Sequence, residues 1–149
     1  SDLMTIDTDM LSSKTFVPFI VAFCCRRSAA QARDLAICMG HRLPQGLKVV
    51  EVPCSGAVSY DHVFAALDNN ADGVMVLTCH KGNCHSEHGN IYAGQTIEHI
   101  QEMFSRIGFE KERILIQTLA SNMGAEFAQI ADRFEETIVK LGPSRLKRN

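Results

Sequence analysis

Four short apolar runs, each followed by a stretch with the hydrophobic spacing of a helix, constrain the fold of this chain most strongly. The runs cover residues 16–23, 47–52, 73–78 and 113–119 and are rich in Val, Ile and Leu. Their hydrophobicity is continuous rather than alternating, which is typical of strands buried on both faces of a sheet. Strand and helix therefore alternate four times, which predicts an α/β fold with a parallel sheet.

The helical stretches are indicated by apolar residues three and four positions apart, preceded by polar or small residues. The expected buried faces are Ala32, Leu35, Ala36 and Met39 after Ser28; Tyr60, Val63, Phe64 and Leu67 after Ser59; Ala93, Ile97, Ile100, Phe104 and Ile107 after Gly89 and Asn90; and Phe127, Ile130, Ala131, Phe134, Ile138 and Leu141 after Ser121 and Asn122. We expect the last helix to end at Gly142-Pro143. The whole pattern predicts a single four-stranded parallel sheet with helices on both faces, flavodoxin-like, in the order 2-1-3-4.

Length and composition suit one compact domain, since the chain has 149 residues of which 46% are hydrophobic. We expect a domain over 16–143, a flexible lead-in or linker over 1–15 and a solvated basic tail over 144–149. The linker-like start suggests a module of a larger protein. A net charge of -2 gives no reason to expect nucleic acid as a partner, and no apolar stretch reaches the ~20 residues that membrane insertion requires.

Cysteines are placed where the predicted strands end. Five of the six come at or soon after the carboxyl ends of the first three strands: Cys24, Cys25, Cys54, Cys79 and Cys84. These ends share one edge of a parallel sheet, so the thiols are expected to meet in one pocket, which predicts a metal or redox site. The sixth, Cys38, is expected to pack as a small buried hydrophobe beside Leu35 and Met39. Without an export signal, the cysteines indicate reduced thiols in the cytoplasm.

The segment 79–90 has the composition of a binding loop. It contains two cysteines, three histidines and two glycines in twelve residues, and thiolates bind iron, zinc or copper(I) through soft sulfur. The histidines are expected to donate hydrogen bonds to sulfur more often than to act as ligands. Cys54 is followed by Gly56, which would let the backbone turn sharply or approach a cofactor.

Several other kinds of site lack support in the sequence. Cys24 and Cys25 are adjacent, so the Cys-x-x-Cys of a thioredoxin-like site is absent after the first strand. The loop after Cys79 has His85 where a cysteine-dependent phosphatase would need an arginine. No glycine-rich phosphate-binding motif follows any predicted strand.

Three motifs in order resemble the delta subunit of methyl-viologen-reducing hydrogenase. They are Ile-Val-Ala-Phe-Cys-Cys, Val-Pro-Cys-Ser-Gly, and Asp-Gly-Val-Met-Val-Leu-Thr-Cys-His-Lys-Gly-Asn-Cys-His followed by Gly-Asn, and the resemblance extends over residues 16–143. It implies an electron-transfer module that carries a 2Fe-2S cluster and works with a hydrogenase or formate dehydrogenase and a heterodisulfide reductase. The Cys-Arg-Arg-Ser-Ala and Leu-Ala-Ser-Asn-Met-Gly segments are most similar to the version of this domain that ends the B subunit of the quinone-interacting membrane-bound oxidoreductase of sulfate reducers.

One residue departs from the family pattern, because the first motif usually reads Cys-Cys-x-x-Cys and Ser28 stands at the third cysteine. Four of the five remaining thiols suffice for a 2Fe-2S centre. Neighbouring side chains of a strand point to opposite faces, so Cys24 and Cys25 are not expected to reach one cluster together. The preferred ligands are Cys25, Cys54, Cys79 and Cys84, with Cys24 as the substitute for any of them.

Other functions remain open at this point. The chain could be a docking domain of such a complex that has lost its cluster, which Ser28 would explain. It could be a thiol or persulfide redox site, activated by Arg26, Arg27 or Lys81. A structural zinc site could use the same cysteines, with His80 or His85. In each case the partners would be other subunits or domains of a redox complex, containing flavin or iron-sulfur centres.

Overall fold

The computed structural model describes residues 16–79 and 89–146. Four strands, β1 (Ile20–Cys25), β2 (Leu47–Val52), β3 (Gly73–Thr78) and β4 (Ile114–Thr118), form one sheet in the order β2-β1-β3-β4. All neighbouring strands are parallel. The predicted fold class and strand order are therefore confirmed, and β1 and β3 lie in the centre of the sheet.

Four α-helices cover the sheet: α1 (Ala29–Cys38), α2 (Tyr60–Asp68), α3 (Gly89–Arg106) and α4 (Gly124–Leu141). The helices α1 and α4 pack on one face, where Phe127 and Phe134 contact the core around Ile20 and Met75. The helices α2 and α3 pack on the other face. Both faces are buried because the side chains of β1 and β3 alternate between two apolar cores.

The first strand begins later than predicted. Phe16 was expected to open it, but β1 starts at Ile20 and continues through Cys25. Pro18 has no N–H to donate to a neighbouring strand, and the N–H of Phe19 donates to the Asp72 carboxylate at 2.9 Å instead of to a strand. β1 also ends later than the predicted run, which stopped at residue 23. Cys24 and Cys25 are therefore the last residues of the strand.

Tyr60, the first residue of α2, was expected on a buried face but is 37% exposed. Three residues at the carboxyl ends of predicted helices are exposed as well. Cys38 was expected to be buried, which is wrong: it is the last residue of α1 and lies in solvent. Met39 is 54% exposed for the same reason, and Ile107 is 71% exposed because α3 ends at Arg106. Helical spacing predicts a face only while the helix continues, and these residues stand at its last position or beyond it.

A buried polar cluster closes the end of the sheet opposite the cysteines. Asp72 accepts hydrogen bonds from the backbone N–H groups of Phe19 and Ser144, each at 2.9 Å. Arg113 lies beside it, fully buried. After α4, Arg145 donates to the carbonyl oxygen of Gly108 at 2.7 Å, so the part of the predicted tail that is described contacts the domain. In the same described ranges, no helix has the length and apolar character needed to cross a bilayer.

Candidate functional site

Cysteines occupy the carboxyl edge of three adjacent strands. Cys24 and Cys25 end the central strand β1, Cys54 follows β2 by two residues, and Cys79 directly follows β3. Strand register places Cys25 opposite Val52, at the end of β2. The prediction that residues distant in sequence lie at one edge of the sheet is therefore confirmed for these four cysteines. Cys84, Lys81, His80 and His85 lie outside the described residues.

The spacing of the strands brings the flanking cysteines within reach of β1. Neighbouring strands lie about 4.8 Å apart, so β2 and β3 are separated by about 10 Å across β1. The backbone N–H of Arg26 donates to the carbonyl oxygen of Val52 at 2.8 Å, which holds the turn after β1 beside the end of β2. Cys54 and Cys79 thus flank the end of β1, where Cys25 is located.

Cys24 lies near the carboxyl edge of the sheet, but its side chain belongs to the apolar core. Its side chain is completely buried among the apolar residues under α1 and α4, with Ile20 and Ala22. Burial raises the pKa of the Cys24 thiol from 9.0 to about 12, and the charge of Arg33 only partly opposes this effect. Alternation along the strand directs Cys25 to the other face, so the expectation that the two thiols point in opposite directions agrees with this packing.

Cys54 is held by a backbone contact in the turn after β2. Its sulfur accepts a hydrogen bond from the N–H of Gly56 at 3.3 Å, within a short 3-10 turn over Ser55–Ala57. The thiol is partly accessible to solvent. Backbone N–H groups directed at sulfur are common around bound clusters.

Cys79 lies at the exit from β3. Its side chain is 5% exposed, and the preceding residue, Thr78, accepts a hydrogen bond from the N–H of Leu119 at 2.7 Å. The strand end is therefore tied to the chain beyond β4. Position and donor chemistry suit Cys79 to hold a group from the β3 side of the pocket.

Ser28 has an unusual environment for a residue that precedes a helix. It is the N-cap of α1 and only 5% exposed, yet its side chain makes no capping hydrogen bond. Its Oγ is shielded from solvent and has no hydrogen-bond partner among the described residues. Its backbone N–H donates to the carbonyl oxygen of Cys25 at 3.1 Å, so the residue is tied to the end of β1.

An ion pair near Cys24 was not predicted from the sequence. Arg33 of α1 contacts the carboxylate of Glu51 at 3.1 Å, and Glu51 is the register partner of Cys24. The two charged residues of β2, Lys48 and Glu51, could have indicated a strand that is partly exposed. The contact between Glu51 and Arg33 depends on how α1 crosses the sheet. No local sequence pattern indicates that crossing.

The donor chemistry of this edge fits a soft metal or a cluster, because thiols are the ligands that iron-sulfur centres use. Within 16–79 and 89–146, however, no three Cys, His, Asp or Glu side chains are close enough together to bind one metal ion. Cys84, which follows Cys79 by five residues, is not among these described residues.

Comparison with known proteins supports this interpretation. The family model described as "Methyl-viologen-reducing hydrogenase, delta subunit" matches residues 20–142. The chain belongs to this family. The matched part begins at β1 and ends just after α4, so the hydrogenase delta-subunit region includes the whole sheet and every cysteine.

Named relatives of the delta-subunit family include both separate subunits and larger proteins. An iron-sulfur subunit of the F420-non-reducing hydrogenase of Archaeoglobus profundus is 37% identical over 136 residues, which cover 91% of this chain and 99% of that protein. The vhc iron-sulfur subunit of the F420-non-reducing hydrogenase of Methanococcus voltae is 28% identical over 137 residues, 92% of this chain and 95% of that protein. A subunit of the ferredoxin/F420H2-dependent CoB-CoM heterodisulfide reductase of Methanosarcina acetivorans is 31% identical over 130 residues, 87% of this chain but 16% of that protein.

Proposed function

We propose that this protein is an electron-transfer module of a redox complex and that it holds a 2Fe-2S cluster at the carboxyl edge of its sheet. The observation that supports the proposal most directly is the arrangement of Cys25, Cys54 and Cys79 at the ends of three adjacent strands. The names of the relatives agree with it, since they are iron-sulfur subunits of hydrogenases and a subunit of a heterodisulfide reductase. When bound, such a cluster supplies the uptake and release of single electrons.

The proposed ligands are Cys25, Cys54, Cys79 and Cys84, and Cys24 is the substitute for any of them. Cys24 has the second place because it is buried in the apolar core and its raised pKa opposes formation of the thiolate that a ligand must provide. Cys54 is the most accessible of the described pocket thiols and already accepts a backbone N–H. The apolar residues below the pocket would exclude water from one side of a bound group.

Partners of this module are proposed to be other redox subunits or domains, with flavin or iron-sulfur centres. A module that only carries electrons needs both a donor and an acceptor, so it cannot work alone. Arg26 and Arg27 are exposed directly after β1 and would present positive charge next to the pocket. A cytoplasmic location, and a role in sulfate reduction by a quinone-linked complex, are further parts of the proposal that depend on the sequence resemblance.

The test is the visible spectrum of protein purified without oxygen, together with iron and acid-labile sulfide assays, before and after reduction with dithionite. A 2Fe-2S module should show broad visible absorption that bleaches on reduction, with equal amounts of iron and sulfide. Cys54→Ser and Cys84→Ser should abolish the absorption. Cys38→Ser is the matched control and should leave it unchanged, because Cys38 lies in solvent at the end of α1.

Each other outcome points to a different function. A colourless protein without iron after attempted reconstitution would refute the electron-transfer proposal and favour a docking domain or a thiol site. Thiol counting then separates those two, since a redox-active pair loses two thiols on oxidation. A colourless protein that contains zinc would indicate a structural metal site.

A further inference from the structure

We infer that the hydroxyl of Ser28 donates a hydrogen bond to an anionic sulfur of the bound cluster and thereby raises its reduction potential. The inference depends on the proposed function, since it concerns the same pocket. The sulfur could be an inorganic sulfide or a cysteine thiolate bound to iron. Both accept a hydrogen bond from an O–H group, and in both the bond stabilises the negative charge on sulfur.

The first argument is the cost of the hydroxyl in its present environment. Among the side chains that the structure describes, the Oγ of Ser28 is the one buried oxygen or nitrogen that lacks a hydrogen-bond partner. A buried polar group without a partner is unfavourable, and native proteins rarely keep one unless a bound group, an ion or an ordered water completes it. A bound group with an acceptor atom beside Ser28 would remove this cost.

The second argument is the conformation of Ser28. A serine at the N-cap of a helix ordinarily accepts a hydrogen bond from a backbone N–H of the first turn. Ser59, the N-cap of α2, has a local partner for its hydroxyl, since its Oγ lies 2.9 Å from Nδ1 of His62. Ser28 has the same position in α1, but its backbone angles, φ -138° and ψ -82°, accompany a side chain that does not cap. Its hydroxyl is therefore available for another acceptor.

The third argument is location. The backbone N–H of Ser28 donates to the carbonyl oxygen of Cys25 at 3.1 Å, in the turn that joins β1 to α1. Ser28 therefore lies beside a proposed ligand and at the N-terminus of a ten-residue helix, where the helix dipole also favours negative charge. A cluster bound at the carboxyl edge of the sheet would lie beside this turn, close to the hydroxyl and to the positive end of α1.

Donation of a hydrogen bond is chemically simpler than ligation by oxygen. A serine ligand would have to lose its proton, which is difficult for a buried hydroxyl. A hydrogen-bond donor keeps its proton and gains the partner that the hydroxyl otherwise lacks. Hydrogen bonds to cluster sulfur stabilise the reduced, more negative state and raise the reduction potential.

The experiment is an EPR-monitored redox titration of the cluster-loaded full chain, with Ser28→Ala, Ser28→Thr and the control Ser59→Ala. Ser28→Ala should retain the iron and sulfide content and shift the midpoint potential to a more negative value. Ser28→Thr keeps a hydroxyl, so its midpoint potential should stay close to that of the unmodified chain. Ser59→Ala removes an N-cap hydroxyl that already has a partner in α2 and should leave the potential unchanged.

A second readout does not require the cluster. In the metal-free protein, Ser28→Ala should unfold at the same or a higher urea concentration than the unmodified chain, because the lost hydroxyl has no partner there. Ser59→Ala should unfold at a lower urea concentration, because it loses a helix cap. In the loaded protein, exchange into D2O should shift the Fe–S stretching frequencies, and Ser28→Ala should reduce that shift; the part due to backbone donors such as the N–H of Gly56 should remain.

Four results would overturn the inference. An unchanged potential in Ser28→Ala would show that no such hydrogen bond exists, and loss of iron from this variant would indicate ligation by oxygen instead. Destabilisation of metal-free Ser28→Ala to the extent seen for Ser59→Ala would reveal a partner within the protein. If the unmodified chain binds no cluster, the proposed function itself fails and the inference fails with it; in the first three results the proposed function stands.

Discussion

Arg113 donates a hydrogen bond from its Nη1 to the backbone carbonyl oxygen of Asp72, 2.9 Å away, inside the protein and at the end of the sheet opposite the cysteines. The same guanidinium reaches the carbonyl oxygen of Pro143 at 3.3 Å and contacts the carboxylate of Glu110 at 3.2 Å. One buried side chain thus connects the start of β3 to the end of α4.

Removal of this guanidinium should strongly destabilise the fold. Arg113→Met should lower the free energy of unfolding by about 3 kcal/mol, because it leaves buried carbonyl oxygens without a donor. Urea denaturation measures the loss. Arg133→Met is the matched control, since Arg133 is exposed on α4, and it should change stability by less than about 0.5 kcal/mol. Equal effects of the two variants would contradict the structural role given to Arg113.

Stability should also depend on the ionisation of Glu110. The hydrogen bond from Arg113 lowers the pKa of Glu110 below its ordinary value of 4.5. Because the pKa is lower in the folded state, the stabilisation is present above pH 4.5 and is lost as the pH falls through the lowered pKa. Unfolding free energies measured between about pH 6 and pH 3 should therefore fall less in Glu110→Gln than in the unmodified chain. Glu112→Gln, which changes the exposed carboxylate nearby, should keep the original slope; a shared slope for all three proteins would refute the prediction.

A close approach between α1 and α4 requires a glycine. A Cβ built on Gly124 would lie 2.9 Å from the backbone nitrogen of Ala36, which cannot move without moving α1. Gly124→Ala should therefore cost about 1–3 kcal/mol in the free energy of unfolding. Gly94 in α3 has open space around the same position, so Gly94→Ala should instead stabilise by about 0.5–1 kcal/mol. Chemical denaturation of the two variants tests the difference, and a gain for both would show that α1 and α4 are not this close.

The thiols should differ in their reactivity in the metal-free protein. Of the five cysteines that the structure describes, Cys38 is the exposed one and should react first with iodoacetamide. Cys24 should react last, because it is fully buried and its pKa is raised to about 12, so almost none of it is thiolate near neutral pH. Peptide mapping by mass spectrometry after timed labelling gives the order. Labelling in urea is the control in which the difference should disappear, and early native labelling of Cys24 would contradict its place in the core.

Local patterns were sufficient for much of this fold. The runs 47–52 and 73–78 coincide with β2 and β3. The second run is continuously apolar because β3 is buried on both faces, whereas β2 is a partly exposed edge strand. Ser28 and Ser59 were expected before helices and are the N-caps of α1 and α2. The placement of Cys24, Cys25, Cys54 and Cys79 at one edge followed from the parallel strand order alone.

Other features depended on contacts that no local pattern contains. β1 starts at Ile20 because the N–H of Phe19 is taken by Asp72, 53 positions away. Cys24 and Cys25 are neighbours with the same chemistry, yet packing under α1 and α4 makes Cys24 part of the core.

The sequence by itself determined the order of strands and helices and the edge at which the thiols lie, because apolar periodicity and chain direction are local properties. The tertiary structure alone decided which groups are buried and which of them lack a partner. The guanidinium of Arg113 is buried and has several acceptors. The hydroxyl of Ser28 is buried and has no hydrogen-bond partner among the described residues. Both are ordinary polar residues in the sequence. Burial and hydrogen bonding are set by elements that meet from distant parts of the chain.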